Sequence, residues 1–108
     1  MLKKDYQFSG ALAENYCVQQ LINCFEHAPK YYVQGQNSEI DFMLEDGMNI
    51  IPVEVKAGET VHHSNSLKKY IAQRNPKIAV RYSMLGYKEQ ETLVNIPLYL
   101  INKTKDYI

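Results

Sequence analysis

The residues of this chain best suited to chemistry are two carboxylates and a lysine in neighbouring apolar segments. Glu54 and Lys56 are separated by one residue within residues 50–56, whose other members are apolar. Because side chains alternate between the two faces of a strand, Glu54 and Lys56 should project from the same face. Asp41 precedes Glu54 by thirteen residues and lies in a similar segment. This combination suits a divalent metal ion held beside a phosphate.

Glu14 adds a third carboxylate. It precedes Val18, Leu21 and Phe25 by four, seven and eleven residues, so a helix would place it on the same face as three apolar side chains. A buried carboxylate is costly without a partner. One interpretation is an anion near a helix N-terminus, stabilised by the helix dipole. The other, which the neighbouring charged residues favour, is a group that faces a polar site on the adjacent sheet.

These side chains define a hypothetical catalytic set. Asp41 and Glu54 are hard oxygen ligands suited to Mg²⁺ or Mn²⁺, and the backbone carbonyl of Val55 is a candidate for a further ligand. A metal there would lower the pKa of a bound water and neutralise charge on a phosphodiester. Lys56 would position or deprotonate that water or stabilise the transition state, and Glu14 would hold a water, a second metal or the lysine. The alternative is a structural ion pair between Glu54 and Lys56.

Other candidate sites are weaker. His62 and His63 have no Cys or His partner at a spacing that binds zinc. The tyrosines fit strand packing better than a base-stacking platform. No Gly-x4-Gly-Lys loop is present, so we expect no ATP site in this chain. A loose basic group is typical of a solvated face but could also meet phosphate; it consists of Lys68, Lys69, Arg74, Lys77 and Arg81.

Length and composition indicate one domain over residues 1–108, because a hydrophobic content of 45% supports a real core. Twelve basic and twelve acidic residues give a formal net charge of zero, which argues against a dominant electrostatic grip on nucleic acid. Cys17 and Cys24 would lie about 10 Å apart along one helix, so we expect two unpaired, buried thiols in a reducing compartment. With no membrane-spanning segment and no signal peptide, the expected location is cytoplasmic, without membrane contact.

The periodicity predicts a mixed central sheet flanked by helices, in the order α-β-β-β-α-β-β. Asp46-Gly47 is typical of a tight hairpin, which would make the second and third strands antiparallel neighbours. Pro97 favours an edge position for the last strand. The predicted helices cover residues 9–27, capped by Ser9, and residues from 64 or 66 to 74. The predicted strands cover residues 31–34, 40–45, 48–56, 77–82 and 93–101. The predicted turns and loops cover residues 35–38, 57–60 and 86–92, with loose ends at residues 1–7 and 102–108.

This order, with its acidic residues and lysine, resembles the core of the PD-(D/E)XK nuclease superfamily. Three blocks at residues 10–16, 39–42 and 51–58 resemble one family more closely, and residues 66–68 and 95–99 also fit it. That family is the domain of unknown function found C-terminal to the ATPase module of prokaryotic AAA-type ATPases. The resemblance extends from Phe8 to Ile101. Ile40 stands where the superfamily name has a proline.

The resemblance implies a restriction-endonuclease-like fold in the C-terminal fragment of a longer chain, whose ATPase domain would be a partner. It implies that Asp41 and Glu54 bind the metal, that Lys56 is the catalytic lysine and that Glu14 is the helix glutamate. The first expectation is therefore a Mg²⁺-dependent nuclease domain that acts on DNA. The alternative is a non-catalytic module of the same fold that binds a partner protein, a nucleic acid or its own ATPase domain. Neutral charge favours the alternative, the intact residue set favours the nuclease, and homo-oligomerisation stays open.

Overall fold

The computed structural model describes the backbone of residues 2–31, 40–56 and 65–108, and the side chains of residues 12–30, 40–56 and 67–108. Its helices are α1 (Leu2–Leu21), α2 (Asn65–Arg74) and a C-terminal 3₁₀ helix (Leu98–Asp106). Its strands are β1 (Lys30–Tyr31), β2 (Phe42–Asp46), β3 (Asn49–Lys56), β4 (Ala79–Ser83), β5 (Lys88–Gln90) and β6 (Leu93–Pro97). No helix in these ranges is long and apolar enough to cross a membrane.

The strands form one mixed sheet in the order β1-β2-β3-β4-β6-β5. β2 and β3 are antiparallel, β3–β4 and β4–β6 are parallel, and β5 returns antiparallel to β6. The predicted hairpin between β2 and β3 is confirmed. Gly47 adopts the left-handed conformation with φ of 64°, which explains why a glycine follows Asp46 at this turn. The fold class is therefore mixed α/β, as the sequence predicted.

Strand alternation divides the buried side chains between two faces. Val80 and Tyr82 face α1 and the 3₁₀ helix, whereas Ala79 packs on the other face beneath α2. The larger core cluster contains Cys17, Leu21, Phe25, Phe42, Leu44, Ile51, Val53, Val80, Tyr82, Val94, Ile96 and Ile101. The smaller cluster contains Ile40, Leu67 and Ala79. The sheet face covered by α2 thus has fewer buried apolar side chains than the face covered by α1, and polar side chains can lie on it.

The prediction for the first helix was wrong at both ends. α1 begins at Leu2, so Ser9 lies inside the helix instead of capping it, and residues 2–7 are not a loose end. It ends at Leu21 instead of residue 27, because the chain turns there and the Cys24 N–H donates to the Leu21 carbonyl. Phe25 is still buried, because this turn directs it back to the same core. Apolar spacing alone does not distinguish the two backbones.

The two cysteines agree with the sequence prediction in their chemistry. Both are free, Cys17 is fully buried, and Cys24 is partly buried in the turn after α1. The Cys24 thiol donates to the Gln20 carbonyl over 3.2 Å. Burial raises the pKa of the Cys17 thiol to about 12, with the charges of Asp41 and Glu14 contributing. The Cys17 thiol therefore stays protonated at neutral pH.

The region after β4 corrects two further predictions. Residues 88–90 form strand β5, although residues 86–92 were predicted as a polar loop. The last strand ends at Pro97 and lies between β4 and β5, so it is not an edge strand. Pro97 is tolerated because β5 pairs only with residues 93–95, and the missing N–H therefore costs no hydrogen bond on that side.

The C-terminal residues are part of the core and not a loose tail. Ile101 and Thr104 are buried within the 3₁₀ helix. The Thr104 hydroxyl donates to the Ile101 carbonyl over 2.6 Å, so the Tyr82 hydroxyl is the donor in the buried 2.7 Å hydrogen bond between Tyr82 and Thr104. The side chain of Tyr107 stacks at a tilt on Tyr87, with ring centroids 4.9 Å apart.

The remaining boundaries shift by small amounts. β2, β3 and β4 begin one or two residues later than predicted, and α2 ends at Arg74 as predicted. Asn75 follows α2 with a positive φ of 49°, a conformation that asparagine tolerates at a helix end. Only Tyr31 of the predicted strand over residues 31–34 is described. The turn at residues 35–38, the break at residues 57–60 and the histidines at 62 and 63 lie outside the described residues.

Candidate functional site

Glu54 and Lys56 project from the same face of β3. The side chain of Glu54 is 1% exposed and that of Lys56 is 27% exposed, and Lys56 Nζ lies 3.7 Å from Glu54 Oε1. Glu54 is buried because β3 lies between β2 and β4 in the sheet. The Lys56 ammonium group lies between the buried Glu54 carboxylate and solvent. The pair can therefore present a positive charge to a ligand at the end of β3.

Asp41 lies at a β-bulge just before β2. Its N–H donates to the Val53 carbonyl over 2.9 Å, although Phe42 is the register partner of Val53. Two successive residues thus face one residue of β3, which re-aims the extra side chain. The Asp41 carboxylate Oδ2 accepts the Val55 N–H over 2.7 Å. Val55 therefore positions Asp41 through its N–H, whereas its carbonyl as a metal ligand stays a prediction.

Glu14 contacts Asp41 from α1. Its side chain is partly buried and forms a hydrogen bond with that of Asp41. Because α1 begins at Leu2, Glu14 lies more than three turns into the helix, and the helix dipole acts mainly within the first turn. The interpretation that the dipole alone stabilises Glu14 is therefore wrong. A contact with a polar group beside the sheet explains its place on an otherwise apolar face.

The pKa of Asp41 is raised to about 7. Burial is the largest cause, the hydrogen bond from Val55 opposes it, and the charge and hydrogen bond of Glu14 and the charge of Glu54 raise it further. Two carboxyl groups can share a hydrogen bond only when one of them carries a proton. Asp41 is therefore a group that can exchange a proton near neutral pH.

The donor set agrees in type with Mg²⁺ or Mn²⁺, because Glu14, Asp41 and Glu54 supply only hard carboxylate oxygens. Within the part of the chain that the structure describes, however, no three histidine, cysteine, aspartate or glutamate side chains are placed to hold a metal ion. The bulge turns Asp41 toward α1, whereas Glu54 shares the opposite face with Arg81. The donor chemistry therefore fits a divalent cation, although the described residues form no site with three such ligands.

The comparisons with known proteins identify the family. The model of a domain of unknown function, DUF4143, matches residues 9–101. The chain belongs to the DUF4143 family. The curated proteins contain no significant match to it, and neither do the solved structures. The predicted resemblance to a domain of unknown function is thus confirmed over nearly its whole range, whereas the family description names no activity.

One set of polar side chains in this DUF4143 domain was not predicted from the sequence. Asn95 of β6 is 2% exposed, and its Oδ1 accepts hydrogen bonds from Arg81 Nε at 3.1 Å and from Ser83 Oγ at 2.7 Å. Its Nδ2 donates to the carbonyl of Gly86 over 2.9 Å. The signal available in the sequence was one asparagine among the apolar residues of β6. Without the strand order, nothing connected it to Arg81.

The loose basic group of the sequence analysis does not act as one cluster in the DUF4143 domain. Lys69, Arg74 and Lys77 are exposed, and the Arg74 guanidinium lies 5.8 Å from the centre of the Tyr70 ring. Lys68 and Arg81 instead line a cavity between α2 and the sheet. Part of the group therefore forms a solvated face, as expected of scattered basic residues, and part of it lines an open cavity.

Proposed function

We propose that this DUF4143 domain is a metal-dependent phosphodiester hydrolase of the PD-(D/E)XK type that acts on DNA. The observation that carries the proposal is the position of Asp41, which is held by the Val55 N–H, contacts Glu14 and lies one strand from the Glu54–Lys56 pair. Carboxylates on a strand, on the bulge before the neighbouring strand and on a helix, with a lysine beside them, suit this chemistry. The order of a helix, an antiparallel hairpin, a helix and a parallel strand supports a restriction-endonuclease-like core.

Asp41 and Glu54, with Glu14 as a further donor, would hold Mg²⁺ or Mn²⁺. When bound, the cation would make a water more acidic and offset the charge of a phosphodiester. Lys56 would direct its ammonium group at a phosphoryl oxygen or at the attacking water, because it lies 3.7 Å from Glu54 Oε1 and its side chain is 27% exposed. Glu14 would hold Asp41 in place and share its proton.

Metal binding is the first test. We expect Mn²⁺ to bind to the wild-type domain in isothermal titration, and binding to weaken by at least about tenfold, or about 1.4 kcal/mol, in Asp41→Asn and Glu54→Gln. Glu26→Gln removes an exposed carboxylate after α1 and should leave Mn²⁺ binding unchanged. Equal Mn²⁺ affinity in the wild type and both site variants would overturn the proposed ligand set.

DNA cleavage is the second test. With Mg²⁺ or Mn²⁺ present, the wild type should cut supercoiled plasmid, and Lys56→Ala should lower the rate by about a hundredfold or more, the range for loss of a positioned proton-transfer or charge-stabilising group. Lys69→Ala, on the exposed side of α2, is the matched control and should retain the wild-type rate. Equal cleavage by the wild type and Lys56→Ala would point to a contaminating nuclease.

The second candidate function is a non-catalytic module of the same fold that binds a nucleic acid, a partner protein or an ATPase domain. Two observations favour it: the formal net charge is zero, and no three of the described histidine, cysteine, aspartate or glutamate side chains are placed to hold a metal ion. A domain that binds DNA equally well in EDTA and in Mn²⁺, with no cleavage, would support this function over hydrolysis.

We further propose that the domain is the C-terminal module of a longer ATPase chain, which rests on the sequence blocks that resemble such proteins. An antibody against the domain should then detect in its native cells a polypeptide much larger than 12.5 kDa. A single band at the mass of the isolated domain would contradict this proposal.

A further inference from the structure

A cavity of about 460 Å³ lies between α2 and the polar face of the sheet. Three cationic side chains line it: Lys68 of α2, Arg81 of β4 and Lys88 of β5. Its apolar lining includes Ile71, Leu85 and Leu93. A cavity of this volume that combines apolar surface with polar groups at defined places is typical of a site for a small organic molecule.

The strand register connects this cavity to the candidate catalytic residues. Glu54 pairs with Arg81, Arg81 pairs with Asn95, and Asn95 pairs with Lys88. Directly paired residues share a face of the sheet, so these four side chains form one row across β3, β4, β6 and β5. Because neighbouring strands lie about 4.8 Å apart, Arg81 stands one strand spacing from Glu54. Arg81, which lines the cavity, is therefore the neighbour of Glu54 in the sheet.

Arg81 is held in place for binding an anion. Its Nε donates to Asn95 Oδ1 over 3.1 Å, and Asn95 is itself fixed by Ser83 and by the Gly86 carbonyl. Among the described residues this is the guanidinium's one hydrogen bond, which leaves its terminal NH₂ groups for a ligand. A guanidinium fixed in this way loses little side-chain entropy when it binds a phosphate through two hydrogen bonds.

The charges and the lining together select the ligand class. Three cations face one acid, Glu91, so the cavity favours an anion. The apolar side chains of Ile71 and Leu93 would contact a flat or apolar body, and Gln90 and Thr92 offer donors and acceptors beside it. An inorganic anion would leave the apolar surface uncovered, whereas a nucleotide would place its phosphate on the cations and its base on that surface.

We propose that this cavity is a nucleotide subsite, in which the phosphate lies on Arg81 and Lys88 and the base packs between α2 and Leu93. One part of this proposal rests on the proposed function: the bound nucleotide would be the neighbour, in a DNA strand, of the phosphodiester presented to Glu54 and Lys56. Nucleotide binding itself needs neither the metal nor catalysis, so the two can be tested apart.

The test is a titration of the domain with thymidine 5′-monophosphate in EDTA, followed by NMR chemical shifts. We expect the signals of Leu93 and Lys88 to move, and Lys88→Gln and Arg81→Gln each to weaken binding by about tenfold, the loss expected for one charge-assisted contact. Lys88 is exposed, so its variant should fold even if Arg81→Gln does not. Lys103→Gln makes the same charge change in the exposed part of the 3₁₀ helix and should leave the affinity unchanged.

A second variant separates the base from the phosphate. Ala72 lines the cavity from an exposed position of α2, so Ala72→Phe should fill the space without removing a charge. We expect this variant to lose thymidine 5′-monophosphate binding by about tenfold or more while inorganic phosphate binding stays the same. Three results would each overturn the subsite: a loss of nucleotide affinity in Lys103→Gln equal to that in Lys88→Gln, equal affinities of the wild type for phosphate and for the nucleotide, or no nucleotide binding to the wild type.

The outcome is distinguishable from that of the proposed hydrolysis. Nucleotide binding that depends on Lys88 and Ala72, in a domain that cuts no DNA, would keep the subsite and reject the hydrolase. Cleavage that depends on Lys56, in a domain that binds no nucleotide in EDTA, would keep the hydrolase and reject the subsite.

Discussion

At the scale of one residue, the Asp41 carboxylate that the proposed function needs lowers the stability of the fold. Burial and two neighbouring carboxylates raise its pKa from 3.8 to about 7, which means that the folded state favours the neutral form. Below its unfolded-state pKa, Asp41 is protonated in both states and costs nothing. As the pH rises through about 7, the free energy of unfolding falls from its low-pH value. The reason is that only the unfolded chain accommodates the charge of Asp41 without penalty.

Asp41→Asn should therefore stabilise the domain at about pH 8 and have little effect at about pH 4. Asparagine keeps an oxygen that can accept the Val55 N–H while removing the charge. Urea denaturation in EDTA at both pH values measures the effect, with the exposed Glu26→Gln as control. A variant less stable than the wild type at the higher pH would show that the Asp41 charge is well compensated in the fold.

At the scale of elements, the 3₁₀ helix is attached to the sheet by one buried polar contact. The Tyr82 hydroxyl donates a hydrogen bond to the Thr104 hydroxyl, which in turn donates one to the Ile101 carbonyl. Burial raises the pKa of Tyr82, so the phenol stays neutral and remains a donor. Apolar packing of Ile101 against the same core adds to this contact.

Thr104→Val should lower the free energy of unfolding by about 1–3 kcal/mol, because a buried Tyr82 hydroxyl would lose its acceptor. Removing both partners in Tyr82→Phe/Thr104→Val should cost less than the sum of the two single changes. Chemical denaturation of the wild type and the three variants completes the cycle. Additive losses would indicate that the contact contributes little.

At the scale of the whole molecule, both ends of the described chain cover the same face of the sheet. Cys17 and Leu21 of α1 and Ile101 of the 3₁₀ helix pack in one core cluster. The opposite face carries α2, a smaller apolar cluster and the polar row that ends at the cavity. The larger core thus stabilises the sheet on one side, and the other side is available for binding.

Deleting residues 102–108 tests this division, because it removes Thr104 and the Tyr107 ring but no residue of the candidate site. We expect the free energy of unfolding to fall by about 2 kcal/mol or more from lost burial and the lost hydrogen bond. Thermal denaturation and proteolysis measure the change. A truncated domain as stable as the full chain would support the loose tail that the sequence predicted.

Particular residues show how far the sequence alone could go. The Asp46-Gly47 turn, the α2 boundary at Arg74 and the shared face of Glu54 and Lys56 were predictable, because each depends on neighbours a few residues away. The end of α1 was not predictable, because the turn after Leu21 buries Phe25 in the same core that a continued helix would have reached. The interior place of β6 was also not predictable, because it depends on β5, a three-residue strand with no apolar signal.

The sequence by itself determined the mixed α/β class, the hairpin and the chemical types of the candidate site: three carboxylates and a lysine. Only the tertiary structure decided where those groups point. The bulge at Asp41 turns its carboxylate toward Glu14, and the strand order aligns Glu54 with Arg81, Asn95 and Lys88. The physical reason is that local periodicity reports which side chains share one element. Hydrogen-bond register between distant strands decides which side chains of different elements meet.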